Sequence, residues 1–294
     1  MIRFALLMLV TTSLYAADSA VDIDTAATLY QAGQIRVQVR ASLTSMPAHV
    51  RQLFAADTSA KLSEQQLGAV TAAAEKGFRI DVFEPAALAA LAANLDLATV
   101  KKAQAFLDGD LGRRMVADDV ASATLDEANI DKVMSGALSS PSTAQRDALI
   151  DKLEHAARYT ESTVQIFLTM GQAVAVGTAI GSGTDRTAVE ARARKSGEAS
   201  RAELEDSMRE PLRRLLAYGY RNLSDSDLRH LLSFLDSSAG KRYVSAYIAA
   251  MDAGFDAMGR RCGEHLGGTL RELALAQSAA VTDSAPASAP PPPP

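Results

Sequence analysis

Apolar side chains recur at the spacing of an α-helix along most of the chain. The clearest stretch follows Ser224, where four leucines share one helical face: Leu228, Leu231, Leu232 and Leu235. Ser224 is placed to accept hydrogen bonds from the first turn, and Asp227, three residues later, is placed to complete a capping box. The pattern predicts an amphipathic helix that begins just after Ser224.

Three other positions carry signals for the start of a helix. Ser63 with Gln66 forms a second capping-box pattern. Pro85 suits the first turn of a helix, because its ring fixes a helical backbone angle and its missing N–H is not needed there. Thr143 is placed to cap a helix that we expect to run through Tyr159.

The chain contains an internal repeat. Residues 94–116 and 222–244 align without a gap at an offset of 128, and eight of the 23 aligned positions are identical. The identical pairs are Asn94/Asn222, Leu95/Leu223, Phe106/Phe234, Leu107/Leu235, Asp108/Asp236, Gly112/Gly240, Arg114/Arg242 and Val116/Val244. Unrelated sequences of ordinary composition would share about one or two positions. The repeat predicts that one helical unit has been duplicated.

Each copy of the repeat predicts two helices joined by a tight turn. Asp110 and Ser238 are expected to cap the second helix of their copies. Gly112 and Gly240, two residues further on, would let the two helices approach closely. We favour this structural role for the turn. The alternative is a ligand-binding loop, whose residues would be Asp108, Asp110 and Arg113.

The turn motif resembles the signature of the bacterial family catalogued as domain of unknown function 2059. The resemblance is clearest over residues 222–244, with Phe234 and Gly240, and weaker over the first copy, with Phe106 and Gly112. Both copies lack the proline that often precedes the small residue and the glycine of that motif. Members of the family carry an export signal and an all-helical domain, and no activity is established for them. The resemblance therefore implies an exported helical protein and transfers no catalytic residue.

The composition favours the same fold class. Aromatic residues make up 5% of the 294 residues and Trp is absent, whereas alanine, the strongest helix former, is abundant. We predict an all-α fold, a helical bundle built from two duplicated units that each contain a helix–turn–helix hairpin. The first unit is expected to span residues 22–140 and the second residues 143–280, within one continuous helical body.

Both ends of the chain are predicted to lie outside this body. Residues 1–16 have one positive charge, then about a dozen mostly apolar residues, then small residues near Ala16, which is the pattern of a cleaved signal peptide. The apolar run is shorter than the roughly 18–20 residues of a membrane span. Residues 281–294 form an Ala/Pro-rich tail that we expect to be disordered. We predict a periplasmic or secreted protein with no stable transmembrane span after cleavage.

The distribution of charge narrows the range of partners. The formal net charge is −5, and no block of basic residues occurs, so we do not expect a nucleic-acid partner. Residues 186–221 carry nine Arg or Lys against six Asp or Glu at short spacing. This mixture predicts an exposed helix with ion pairs along its length. A basic face for anionic lipid is the alternative.

The apolar stretch 164–180 contains a stripe of small residues. Ala173, Gly177 and Gly181 are four residues apart, which permits close packing of another helix. We predict a buried helix here, with a membrane-active helix as the alternative. Gly177, Gly181 and Gly183 do not form a phosphate-binding loop, because neither a Gly-Lys-Ser/Thr sequence nor the third glycine of a dinucleotide site follows.

Few residues offer site chemistry. Cys262 and His265 have the spacing of metal ligands on a helix, and a usable site would need a further ligand such as His230. We favour a packed Cys beside a surface His and predict no metal and no cofactor. Asp118 and Asp119 are adjacent, so their side chains point in different directions, and we interpret both as solvated.

No nucleophile or metalloenzyme motif occurs in the chain, so we predict no catalytic residue and a non-enzymatic protein. The leading hypothesis is an interaction module that binds another protein of the cell envelope. The second is a carrier or sensor that holds a small apolar ligand between helices. The third is an enzyme with an unrecognised site. A large apolar cavity would favour the carrier, and a strongly perturbed acid in a deep pocket would favour the enzyme.

Overall fold

The computed structural model describes residues 21–56, 61–140 and 142–283, with side chains up to Ser278. Over these residues the fold is all-α, as predicted, with thirteen helices and no strand. The helices are α1 (Ile23–Ala32), α2 (Ile35–Leu43), α3 (Met46–Ala56), α4 (Glu64–Gly77), α5 (Ile80–Asn94), α6 (Leu97–Leu107), α7 (Asp110–Ala123), α8 (Glu127–Ser135), α9 (Ala144–Ala157), α10 (Tyr159–Ser182), α11 (Arg186–Gly219), α12 (Asp225–Asp236) and α13 (Ser238–Asp283). The predicted signal peptide lies outside the described residues. The start predicted for the disordered tail, residue 281, is wrong by three residues, because α13 continues to Asp283, and residues 284–294 lie outside the described residues.

Three of the predicted N-terminal caps are present in the structure. Ser63 with Gln66 and Ser224 with Asp227 each form a complete capping box, which confirms both predictions. The Thr143 side chain caps α9, also as predicted. These bonds satisfy backbone N–H groups that the first turn of a helix leaves without partners.

The helix expected to run from Thr143 through Tyr159 is in fact two helices. α9 ends at Ala157, and Arg158 adopts the left-handed conformation with φ of 52°. α10 then begins at Tyr159 in a new direction. A non-glycine residue in this conformation ends a helix, since the next N–H no longer points along the axis. The break sets the position of Tyr159, which lies in the candidate site described below.

Pro85 does not open a helix, contrary to the prediction. α5 begins five residues earlier, at Ile80, and Pro85 lies inside it. Phe83, in the added turn, is fully buried, and its ring packs edge to face on Phe255 of α13 at a centroid distance of 5.2 Å. Burial of that ring stabilises the extra turn by about 2 kcal/mol, which offsets most of the proline's local cost of about 3 kcal/mol.

The predicted caps of α7 and α13 are each displaced by one residue. Asp110 is the first residue of α7, and its N-cap position is held by Gly109. Ser238 is likewise the first residue of α13, and the hydroxyl of Ser237 accepts a bond of 3.0 Å from the Gly240 N–H. The turns are therefore one residue tighter than the sequence pattern indicated.

The long helix α13 joins the two predicted units into one body, as expected. It packs against α4 and α5 from the first unit and against α10 and α12 from the second. The main core includes fully buried Leu29, Phe83 and Leu91 from the first unit together with Met258 of α13. A smaller core lies among α9, α11 and α12, around Ile150, Leu153, Leu216, Leu228 and Leu231.

α10 and α13 meet along a seam of glycines. On α10 the predicted stripe of Ala173, Gly177 and Gly181 lies against α13, and a Cβ on either glycine would come closer than 3.0 Å to the backbone of Arg260 or Glu264. The prediction of close helix packing is therefore confirmed. α13 contributes the matching glycines, whose Cβ atoms would meet the α10 backbone: Gly259, Gly263 and Gly267. We call these five glycines the glycine seam.

Of the described helices, α10 has by itself the length and apolarity of a membrane span, with a mean hydropathy of 1.4 over its most apolar window. Its 24 residues extend beyond the predicted apolar stretch 164–180. A bent pair, Glu64–Asn94 with Leu97–Leu107, meets the same test if taken as one unit. α10 is packed on one side by α13 and on another by α11. The prediction of a buried helix holds only in part, because 28% of that window is buried and Phe167 and Ile180 are exposed.

α11 is the charged, exposed helix that the sequence predicts. Ion pairs spaced four residues apart run along it: Arg186–Glu190, Arg201–Glu205 and Glu210–Arg214. Arg213 additionally reaches α9, where it pairs with Asp147 and Asp151. The mixed charges are thus paired with one another along much of the helix.

The two hairpins, α6–α7 and α12–α13, have closely similar local geometry. Their helices begin at positions that correspond at the offset of 128, Leu97 with Asp225 and Asp110 with Ser238. A Cβ on Gly112 would overlap the backbone at Phe106 and Leu107, and a Cβ on Gly240 would overlap the backbone at Phe234 and Leu235. The predicted close approach at both glycines is confirmed.

The hairpins also contact each other reciprocally. The rings of Phe106 and Phe234, the motif aromatics of the two copies, stack at a centroid distance of 4.1 Å and an interplanar angle of 2°. Arg114 binds both oxygens of Asp227 at 2.7 and 2.9 Å. Arg242, which aligns with Arg114, pairs at 2.8 Å with Asp96 at the start of α6. Each hairpin thus places its arginine on the start of the other hairpin's first helix.

Candidate functional site

A deep cavity of about 1140 Å³ lies between the predicted units. Its walls come from α2, α7 and α8 on one side and from α9, α11, α12 and α13 on the other, with the start of α10 between them. Its volume is at the upper end of the range for small-molecule sites, about 300–1000 Å³. It is partly open to solvent, so a ligand has a route of entry.

Most of the cavity wall is apolar. Side chains from both predicted units contribute to it, including Ile35, Leu107, Met115, Val116, Leu153, Leu216, Leu231 and Ile248. Several of these residues also belong to the two cores, so the wall is continuous with rigid, packed structure. Rigid apolar walls favour a ligand whose larger part is hydrocarbon.

One carboxylate faces this apolar wall. Asp119, on α7, lines the cavity and lies within hydrogen-bonding reach of the Tyr220 hydroxyl, which donates to it. Burial away from bulk water raises the pKa of Asp119 to about 7, because desolvation outweighs the hydrogen bond from Tyr220, and nearby Asp118 raises it further. Close to neutral pH, Asp119 can therefore either accept or donate a proton.

Four tyrosines gather around Asp119. Tyr159 is the first residue of α10, and Tyr220 directly follows the last residue of α11. Tyr243 and Tyr247 are one turn apart on α13. Burial raises the pKa of Tyr159 to about 12 and raises the pKa of each of the other three as well; the Asp119 carboxylate adds to the shift in all four. All four therefore stay neutral at physiological pH, and all four line the cavity.

The mouth of the cavity carries further acidic groups. Glu127 pairs with His49 at 3.0 Å and so links α8 to α3. Asp126 caps α8, and Asp131 lies one turn further along it. Among the described residues that line the cavity, none is Lys or Arg. The electrostatic potential of the cavity consequently favours positive charge.

The interpretation of Asp118 and Asp119 as solvated is wrong. Asp119 lines the cavity, and Asp118 accepts a bond of 3.0 Å from the Asn222 side chain while its other oxygen is buried. The two side chains do point in different directions, as their spacing requires. One face of α7, with Ala117 and Ala121, is exposed, whereas Asp119 lines the cavity and Asp118 is partly buried beside Asn222.

The structure gives Cys262 and His265 different surroundings. Cys262 is fully buried where α13 packs on Gly77 of α4, and burial raises the pKa of its thiol to about 12. His265 is half-buried, and desolvation, with nearby Arg261 and Lys76, lowers its pKa. Over the described part of the chain, no group of three or more possible metal ligands comes together, so His230 does not join the pair.

The polar residues of the first turn pair locally. Arg113 contacts the Asp108 carbonyl and the Asp110 carboxylate, and all three side chains are on the surface. Gly112, beside them, packs on the end of α6. This arrangement fits the structural role that the sequence analysis favours for the turn.

None of the four tyrosines was predicted as a site residue. Tyr243 and Tyr247 have helical spacing within the second hairpin, which was a usable signal of a shared aromatic face. Tyr159 and Tyr220 carry no such signal, because each lies at a helix end far along the chain from Asp119. The tertiary structure alone brings them to one place.

Comparisons with protein-family models, with curated proteins and with solved structures found no match for this chain.

Proposed function

We propose that the protein binds a small, largely apolar molecule in the cavity between its two units and acts as a carrier or sensor of that molecule. The observation that carries the proposal is the cavity itself, about 1140 Å³ with mostly apolar walls. Ligand sites in proteins are concave and mostly apolar, and this partly open cavity has both properties. Helical bundles commonly place ligand sites between their helices.

The proposal is tested by binding of a neutral apolar dye to the full chain. We expect phenylnaphthylamine to bind saturably, with a rise in fluorescence as it leaves water. Ala123→Trp adds a large side chain to the cavity wall one turn from Asp119, and we expect it to weaken binding at least tenfold. Ala121→Trp places the same side chain on the exposed side of α7 and should leave binding unchanged.

Two results would contradict this function. One is a folded wild-type protein that shows no saturable binding of the dye. The other is equal loss of binding in the Ala121 and Ala123 variants, which would place the dye elsewhere on α7. A thermal melt of each variant establishes that it remains folded.

A second proposal, that the surface binds another envelope protein, is favoured by the end of α13. The helix continues past the last seam glycine, Gly267, to Asp283, and Leu275 in this part is 64% exposed. The large exposed apolar side chains of the described residues are otherwise spread over several helices, among them Leu53 on α3 and Phe167 on α10. Affinity capture from intact cells, compared between wild type and Leu275→Glu, tests this proposal.

Export, the duplication and the family resemblance remain proposals as well. Mass spectrometry of the mature protein tests cleavage near Ala16, and a full-length chain retained in the cytoplasm would contradict it. The shared helix starts and glycine contacts of the two hairpins support duplication. We also keep the proposal that the protein is not an enzyme, although Asp119 is the group that a catalytic hypothesis would use as general acid or base.

A further inference from the structure

We propose that the cavity takes a hydrophobic amine, whose ammonium group lies between the Asp119 carboxylate and the rings of the tyrosines around it. The inference rests on the proposed ligand-binding function and names the chemical class of the ligand. It follows from three features of the wall: one carboxylate set in an apolar surface, several aromatic rings beside it, and the sign of the surrounding charge.

The first feature is the carboxylate. Asp119 lines the cavity on α7, and its described partner is a neutral hydroxyl, that of Tyr220. A carboxylate removed from water is costly unless it is paired with a positive charge. The lining residues of the described chain include no Lys or Arg that could supply this charge. A cation brought by the ligand would fill that role.

The second feature is the set of rings. Tyr159, Tyr243 and Tyr247 line the cavity near Asp119, and the rings of Tyr243 and Tyr247 lie 6.5 Å apart at 43°. The face of an aromatic ring attracts ammonium groups, and several rings around one position form the aromatic cages that recognise alkylammonium ligands. The tyrosines are held by three different helices, so the arrangement depends on the folded structure.

The third feature is the charge at the entrance. Asp126, Glu127 and Asp131 lie at the mouth, and His49, paired with Glu127, is the one basic side chain among the described lining residues. This negative potential attracts cations and repels fatty acids or other anions of similar shape. The apolar remainder of the wall then accommodates the hydrocarbon part of the molecule.

Three probes with the same alkyl chain separate charge from hydrophobicity: octyltrimethylammonium, octanol and octyl sulfate. Calorimetric titration of the full chain should show the cation binding about tenfold more tightly than octanol, and octyl sulfate binding most weakly. Asp119→Asn should weaken binding of the cation about tenfold and leave binding of octanol within about twofold. Asp118→Asn is the matched control, since its carboxylate pairs with Asn222 and does not line the cavity.

A second pair of variants tests the aromatic ring without changing charge. Tyr247→Leu removes the ring and should weaken binding of the cation several-fold, whereas Tyr247→Phe keeps the ring and should retain it. Octanol should distinguish the two variants far less. This pair keeps the inference testable even if Asp119→Asn changes the fold.

The outcomes separate the inference from the function on which it rests. If octanol and phenylnaphthylamine bind but the cation is not preferred, or if Asp119→Asn leaves that preference unchanged, the amine is overturned and the ligand-binding function stands. If the three probes and the dye all fail to bind the folded protein, both are overturned. Preferred binding of octyl sulfate would likewise overturn the amine.

Discussion

α13 packs against its neighbours in two different ways: closely along the glycine seam and loosely around the cavity. Along the seam, glycines on both helices bring α10 and α13 into backbone contact and leave no room for a side chain. Near its start, the same helix α13 carries Tyr243, Val244, Tyr247 and Ile248 on the wall of a cavity of about 1140 Å³. The middle of the helix therefore packs through the absence of side chains, whereas its start contributes side chains to the cavity wall.

The two regions are expected to contribute differently to the stability of the protein. Close packing maximises dispersion contacts and burial, so the seam is expected to tolerate little change. The cavity gives up such contacts and holds a desolvated acid, which costs stability in the empty protein. Substitutions at the two regions should consequently differ in sign as well as in size.

The largest effect is expected at the seam. Gly263→Leu would place a side chain where a Cβ already overlaps the backbone of Val174 and Thr178 on α10. We expect a loss of about 3 kcal/mol in the free energy of unfolding, because the helices must separate to accept the leucine. Chemical denaturation measures it. A variant as stable as wild type would show that the seam is not tightly packed in solution.

The next effect concerns the turn of the second hairpin. A Cβ on Gly240 would overlap the backbone at Phe234 and Leu235, so Gly240→Leu should destabilise the protein by about 1–3 kcal/mol. We expect this loss to be smaller than at the seam, since one turn can shift without separating two long helices. A thermal melt that does not change on substitution would contradict the packing of this turn.

At the cavity we expect the opposite sign. The folded-state pKa of Asp119 lies near 7, above its ordinary value of 3.8, so folding favours the protonated form. Its contribution to stability is fully present below about pH 4 and is lost as the pH rises toward 7. Asp119→Asn should thus stabilise the empty protein at pH 8 by about 2 kcal/mol, a value reduced because water in the cavity reaches the carboxylate.

Denaturation of wild type and Asp119→Asn at pH 4 and pH 8 measures this effect. The gain should be much smaller at pH 4, where the wild-type carboxyl is protonated in the folded state and close to half-protonated in the unfolded state. Asp110→Asn, which replaces an exposed carboxylate at the start of α7, serves as the control. A gain that is equal at the two pH values would exclude the titration of Asp119 as its cause.

The smallest effect is expected at a glycine of α10 that lies outside the seam. Gly171 is on α10, one turn and a half before Gly177, but a Cβ there would meet nothing within 4 Å. Gly171→Ala should stabilise the protein by about 0.5–1 kcal/mol, because alanine restricts the unfolded chain and favours the helix. A loss of stability instead would mean that α10 is packed on this side as well. Together with Gly263→Leu, this variant tests whether the effect of replacing a glycine on the free energy of unfolding depends on its position relative to the seam.

Much of the local structure could be predicted from the sequence. The capping boxes at Ser63 and Ser224 are contained within a few residues, and so are the close contacts at Gly112 and Gly240. Pro85 shows where local rules fail, since burial of Phe83 against α13 extends α5 beyond the start that the proline predicts. Long-range packing can thus override the helix start that a proline favours locally.

The candidate site could not be predicted from local sequence patterns. Asp119 is 40 residues from Tyr159 and more than 100 from Tyr243, and nothing in the spacing of these residues indicates that they meet. Asp118 and Asp119 have the polar character of surface residues, and only the packing of α7 against other helices makes both partly buried. The pKa of Asp119 depends on that enclosure.

The sequence by itself determined the all-α class, the starts of α4, α9 and α12, the small-residue face of α10 and the ion pairs of α11, because each depends on residues within a few turns of one helix. The tertiary structure decided which surfaces meet. It paired the α10 stripe with glycines of α13, brought the hairpins together through Phe106 and Phe234, and left a cavity with Asp119 in its wall. Local patterns fix the form of a helix, but the desolvation and charge of a site arise from distant segments, whose approach no local pattern encodes.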